Sequence, residues 1–325
     1  LGAISFLALE AIGGAVTLSY GFDNTLLATL VVGLLIFLTG LPICYYAAKY
    51  GVDIDLLTRG AGFGYIGSTL TSLIYASFTF IFFALEAAIM AKALELLVDI
   101  PLFIGYIISS LVVIPLAFFG ITFISRFQFW TQPLWIVLQL LPFVFILSHE
   151  SVSLAEWSEY TGALQTTTGP SVLLFGAAAS VMFSLVAQIG EQVDFLRFLP
   201  EKKRDNRMGW WLSMIAAGPG WIIIGMIKIL AGSFLAFLAI KHGTGSADAS
   251  DPAHMYQVAF SYVFSNPNIS ILVAAIFVII SQLKINVTNA YAGSIAWSNF
   301  FSRLTHSHPG RVVWLVFNVS IALVL

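Results

Sequence analysis

Four charged residues stand where chains of this kind rarely place charge: Glu10, Glu86, Glu191 and Lys284 all lie inside long apolar runs. Lys284 is flanked by the apolar stretches 271–282 and 285–297. A lysine at the centre of a bilayer costs roughly 2.5–3.5 kcal/mol on insertion scales, so it must face a partner or a watery cavity. Two kinds of chemistry fit: an ion pair that holds helices together, or a substrate or coupling site. Any of Glu10, Glu86 and Glu191 is an eligible partner for Lys284, and the sequence does not choose among them. Lys92 is within a turn or two of a helix end and can extend to water, whereas Lys228 lies deeper and suggests no role. Metal and enzymatic chemistry are not expected. Cys44 is the only cysteine, and His149, His242, His254, His306 and His308 fall in loops or near ends, with no carboxylate near His306-x-His308 to complete a metal site.

The elements that position these residues are membrane helices. The chain has 325 residues, 59% hydrophobic and 9% charged, against roughly 25% charged in soluble domains. This excludes an ordinary soluble enzyme, a disordered chain and a nucleic-acid binder. The apolar runs are long and do not alternate with period two, so a β-barrel is excluded as well. Hydropathy and breakers place segments at 1–21, 25–48, 66–94, 101–120, 128–148, 171–198, 209–240 and 269–300. A ninth starts at 311 and is truncated by the chain end, which is expected to mark a fragment. Residues 149–170 and 241–268 are long connections, the second with a short peripheral helix starting at Asp251-Pro252.

Charge orients the spans. Lys49, Arg59, Arg126, Arg197, Lys202, Lys203, Arg204, Arg207, Arg303 and Arg311, ten of the fourteen basic residues, fall in alternate loops. The opposite loops hold Asp23, Asp99, Glu150, Glu156, Glu159, Asp248 and Asp251, with Lys241. The positive-inside rule then places the N-terminus in the cytoplasm and the chain in the plasma (inner) membrane. Glycine adds a symmetry. Gly13-Gly14 follows Glu10 in span one, and Gly190 lies between Gln188 and Glu191 in span six. Interrupted spans at matching places in two halves mark transporter sites; the other reading of such glycines is close helix packing.

Three motifs, in order along nearly the whole chain, resemble the nucleobase–cation symporter family 1, the purine, cytosine, allantoin and hydantoin permeases. Lys49-Tyr50-Gly51-Val52-Asp53-Ile54 through Arg59-Gly60-Ala61-Gly62-Phe63-Gly64 is similar to that family's loop between spans two and three, with Asp53 where proline is favoured. Asp194-Phe195-Leu196-Arg197-Phe198 resembles its span-six end. Asn286-Val287-Thr288-Asn289-Ala290-Tyr291-Ala292-Gly293-Ser294 resembles its Asn-rich span eight. The resemblance implies an all-α polytopic fold of the leucine-transporter type, with five-plus-five inverted repeats in one domain. Repeat one would be about residues 1–148 and repeat two about 171–325, incomplete.

The same resemblance implies a substrate site between spans one, three, six and eight. An ungapped alignment from Gly64 carries the family's stacking aromatic onto Phe82 and its glutamine onto Glu86, which share a helix face. A flat ring stacks on an aromatic face, and a carboxylate accepts N–H donors; the plain alternative for Phe82 is core or lipid packing. The family's span-six tryptophan falls at Leu185, with Phe183 one step away as a substitute and Gln188 as a polar contact. Asn289, with Asn286 a turn earlier, falls at the substrate-contacting asparagine, and helix-to-helix hydrogen bonding is the alternative there. Gly13 and Gly14 would line the break in span one. The positions that hold sodium in coupled members fall at Ser281, Lys284 and Ile285. The sodium site is degraded on this reading. Coupling would be sodium-independent, or to protons through Lys284 with Glu10 or Glu86 as counter-charge and Glu191 nearby.

The expected function is secondary active transport of a nucleobase-like or ureide small molecule by alternating access, with no cofactor and with the lipid bilayer and the substrate as partners. No phosphate-binding loop supports an ATPase. The alternative is a transporter-like sensing domain fused to a cytoplasmic signalling domain outside these residues.

Overall fold

Backbone groups inside a bilayer have no water to bond, so apolar runs of this length must satisfy themselves as helices. The computed structural model describes residues 2–149, 151–307 and 309–325, in which helices joined by turns and loops are the regular structure, with no strand among them. Glu150 and His308 lie outside the described residues. Span one opens with a 3-10 turn, Ala3–Ser5, and continues after a break as α1 (Ala8–Tyr20). Then come α2 (Phe22–Tyr50), the short α3 (Ile54–Thr58), a π-type turn at Arg59–Phe63 and the long α4 (Gly64–Val98). The pair α5 (Leu102–Leu111) and α6 (Val113–Phe118) leads to α7 (Ile121–His149) and α8 (Ser151–Ser158). Span six is α9 (Val172–Phe183), a 3-10 turn at Ser184–Ala187 and α10 (Gln188–Leu196). Finally come α11 (Arg207–Ala217), α12 (Trp221–Lys241), α13 (Pro252–Ser261), α14 (Pro267–Thr305) and α15 (Arg311–Val324). Among the described residues, seven helical stretches are long and apolar enough to cross a membrane, and Leu102–Phe118 and Arg311–Val324 are shorter apolar helices. Together they occupy the nine expected places.

The helix ends follow their sequences. Asn266 caps α14 by accepting from the Asn268 N–H, with Pro267 in the first turn. Gly51 closes α2 in the left-handed region at φ 64°. Large apolar side chains such as Trp130 and Val172, 78% and 90% exposed, face outward, as a lipid-facing surface requires. The basic loops gather at one end of the bundle. Arg303 bonds Asp55 and Ser68, and Arg197 lies 3.6 Å from Asp53. The acidic connections gather at the other end, where Lys92 pairs with Asp251 at 2.6 Å and Lys241 with Glu156 at 2.7 Å.

The interruption expected at Gly13-Gly14 is elsewhere. α1 runs unbroken through both glycines, and the break falls at Phe6, whose ψ of 96° is extended. Gly13 serves close packing instead: a Cβ there would lie 1.9 Å from the Ile229 carbonyl oxygen of α12, and one at Gly232 would lie 2.2 Å from the Cα of Glu10. In span six the break is the 3-10 turn Ser184–Ala187, while Gly190 makes room for the Tyr75 ring. α13 begins at Asp251 and Pro252 as expected, yet it is not peripheral. Met255, Tyr256 and Phe260 are fully buried against α12 and α14, so α13 reaches into the bundle.

Candidate functional site

The break at Phe6 frees backbone groups on both of its sides, and charged side chains from other spans take them up. On one side the Ile4 carbonyl accepts from Lys228 Nζ at 3.0 Å. On the other the Ala8 N–H, at the start of α1, donates to Glu86 Oε1 at 3.2 Å. A carboxylate at a helix N-terminus is favoured by the helix dipole. Glu10, in the first turn of α1, pairs with Lys228 at 3.2 Å. Tyr256 of α13 donates to Glu10 Oε1 at 3.2 Å and accepts from Gln139 Nε2 at 2.6 Å. The Trp135 ring lies 5.4 Å from Lys228 Nζ, and its own N–H donates to Ser281 at 2.8 Å.

A polar seam runs from here along the contact of α4 with α14. The Gln282 amide stands beside Glu86. Asn286 Nδ2 donates to the Phe83 carbonyl at 3.2 Å, and Asn289 Nδ2 donates to Asn286 Oδ1 at 3.3 Å. The next residue back, Thr288, stands beside Glu191 of α10, to which Gln188 donates. Gly2 packs on Thr288. The broken segment of span one thus threads from Thr288 and Glu191 at one end to Glu86 at the other. Phe6 lies in the break with its ring 5.3 Å from that of Phe82. An open cavity of about 620 Å³, lined by Arg126, Gln128, Phe195 and Thr288, lies toward the basic end of the bundle.

Several buried polar atoms around this segment have no partner among the described residues: Glu86 Oε2, both amide atoms of Gln282, Gln188 Oε1, Glu191 Oε1 and Asn289 Oδ1. Such groups cost free energy unless a bound polar molecule or water completes them.

Of the residues named from sequence, Glu10, Phe82, Glu86, Gln188, Glu191, Asn286 and Asn289 come together around the break and the seam. Three do not. Phe183 is 39% exposed in an outer groove with Leu35 and Thr39, because the inward face of span six carries Met182, Leu185 and Ile189 instead. Gly13 and Gly14 lie within continuous helix, Gly13 on α12 and Gly14 on Met255 and Ala236. Lys284 is buried, but it pairs with none of the three carboxylates. Its Nζ donates to the Gln128 carbonyl at 3.2 Å and to Thr131 at 3.0 Å, both on α7. The lysine that meets Glu10 is Lys228. Sequence reasoning also missed Gln139, Tyr256 and Gln282. The signal for α7 was available: Gln128, Gln132, Trp135 and Gln139 recur at helical spacing and are all buried.

No family model matches the sequence, and no curated protein does. Solved structures do match the fold. The structure of Mhp1, a nucleobase-cation-symport-1 family transporter, in a closed conformation with bromovinylhydantoin bound, agrees with a TM-score of 0.68 at 18% identity, covering 99% of this chain and 70% of that one. The inward-facing conformation of Mhp1 gives 0.67 at 18% identity, with 99% and 68% covered. This chain is therefore an all-helical, integral membrane protein with the fold of Mhp1, the leucine-transporter type.

Proposed function

We propose that the protein is a secondary active transporter, not an enzyme, that moves a nucleobase-like or ureide-type small molecule by alternating access. The observation that carries this is the pair of broken spans, at Phe6 and at Ser184–Ala187, beside buried polar atoms that lack partners. A helix gives up backbone hydrogen bonds inside a bilayer where it lines a site. Mhp1, with the same fold, is a transporter with a hydantoin bound. Phe82 would stack on the ring of the substrate, Glu86, Gln188 and Asn289 would meet its polar edge, and Asn286 would orient Asn289. The two repeats would be about residues 1–148 and 171–325, and the basic end of the bundle would face the cytoplasm.

Coupling would not use sodium. Lys284 Nζ takes a carbonyl and a hydroxyl oxygen of α7, the hard oxygen donors that a metal cation would seek. A tethered ammonium there replaces a bound cation and repels another. Glu10, held by Lys228 and Tyr256, and Glu191, on the cavity side of the break, are the remaining groups for proton exchange. The test is uptake of labelled hydantoin, allantoin, cytosine and uracil into proteoliposomes with and without a sodium gradient. Uptake of at least one compound without sodium, lost in Lys284→Ala, is expected. Uptake that needs a sodium gradient and persists in Lys284→Ala overturns the coupling, and no uptake of any small solute overturns the function.

A further inference from the structure

Most of the unpartnered atoms of the site are of one kind. Glu86 Oε2, Glu191 Oε1, Gln188 Oε1 and Asn289 Oδ1 are all acceptors. Their orientation is not free. Asn286 gives its N–H to the Phe83 carbonyl, so its oxygen faces Asn289; Asn289 must answer with its N–H, which leaves its own oxygen outward. Gln188 likewise commits its N–H to Glu191 and keeps its oxygen free. The exceptions are Gln282, whose amide carries a donor and an acceptor beside Glu86, and the Gln192 N–H next to Glu191 in sequence.

The charges are equally one-sided. Glu10 is matched by Lys228, which is committed to it and to the Ile4 carbonyl. Glu86, which feels Lys228 only beyond ion-pair distance, and Glu191 have no basic side chain paired with them among the described residues, and Lys284 is turned toward α7. A buried carboxylate without a counter-charge is costly. An arriving ligand that brings N–H groups and positive charge relieves both shortages at once.

We propose that the substrate of this site is a small planar cation or base rich in N–H donors, of the amidine, guanidine or amino-heterocycle class, with its ring against Phe6 and Phe82 and its N–H edge toward Glu86 and Asn289. This rests on the reading of the broken spans as a substrate site. A ligand whose edge is mostly carbonyl oxygen would face these acceptors with acceptors, and sites built on buried hydrogen bonds reject such mismatches strongly.

Matched pairs of probes test it on the purified full chain by isothermal titration calorimetry: benzamidine against benzamide, and cytosine against uracil. The first member of each pair is expected to bind at least about tenfold more tightly. Glu86→Gln, with its ligand-free melting checked, is expected to remove most of the benzamidine preference while leaving benzamide binding nearly unchanged. Benzamide or uracil binding as tightly as its partner to the wild-type protein overturns the charge assignment but leaves a substrate site. No binding by any of the four probes overturns the site itself, and this assignment with it.

Discussion

Lys228 holds the break in span one together, since one ammonium serves both the Glu10 carboxylate and the freed Ile4 carbonyl. Removing one partner of a buried pair leaves an uncompensated charge, at a cost of about 3–5 kcal/mol. Lys228→Met is therefore expected to lower stability by that amount in chemical unfolding of the detergent-solubilised protein. Adding Glu10→Gln should restore most of the loss, because both charges are then gone. Failure of the double variant to recover would show that the lysine acts through packing alone. The carboxylates were legible in the sequence because charge is scarce there, and each could be picked out by eye. The pairing was not: both Lys228 and Lys284 lie deep in apolar runs, and only the rotation of α12 and α14 about their axes decides which one meets Glu10.

Among the elements, span order and helix extent were almost fully legible, because length and hydropathy fix both. The places where helices break were not. Gly13 draws attention as a helix breaker, yet its use is steric: α12 passes so close that only a hydrogen fits. Gly13→Ala is expected to destabilise by about 1–3 kcal/mol through overpacking, whereas Gly176→Ala, with nothing within 4 Å, should be neutral or slightly stabilising in the same melting assay. α13 was foreseen from Asp251-Pro252 but not its depth, since ten residues carry too little pattern to show which face is buried.

The docking of α13 also carries a pH signature. Burial of Asp251 opposes its ionisation, but contacts from His254, Lys92 and the Ala253 N–H outweigh this and hold its carboxyl below the usual range. The adjoining Asp251 pushes His254 up, against the effect of its burial. The Asp251 contribution is present above its unfolded value of about 3.9 and is lost as pH falls through the folded value. The His254 contribution is complete below about 6.5 and is lost as pH rises through its folded value. Hydrogen exchange of the α13 amides, corrected for intrinsic rates, should show greatest protection between these limits. Protection that is flat across pH 3 to 8 would contradict the assignment.

For the whole molecule, the alternation of basic and acidic loops anticipated which segments share an end of the bundle, and Arg303 with Asp55 and Lys241 with Glu156 confirm the grouping. Which end is cytoplasmic is a prediction. In a Cys44→Ala background, a cysteine at Lys202 should resist a membrane-impermeant maleimide in intact cells, and one at Glu156 should react. The opposite pattern would invert the orientation. The fold was legible from motif order because such motifs mark helix ends. The chemistry of the ligand was not, because it depends on which lone pairs remain unused once the helices have packed. The central claim, that the broken spans surround a carrier site reached alternately from both faces, is tested most directly by solute counterflow in proteoliposomes without any ion gradient. Vesicles preloaded with unlabelled substrate should transiently accumulate external labelled substrate through the wild-type protein, and far less through Glu86→Ala. Label that merely equilibrates, or enters equally well without preloading, would contradict a carrier.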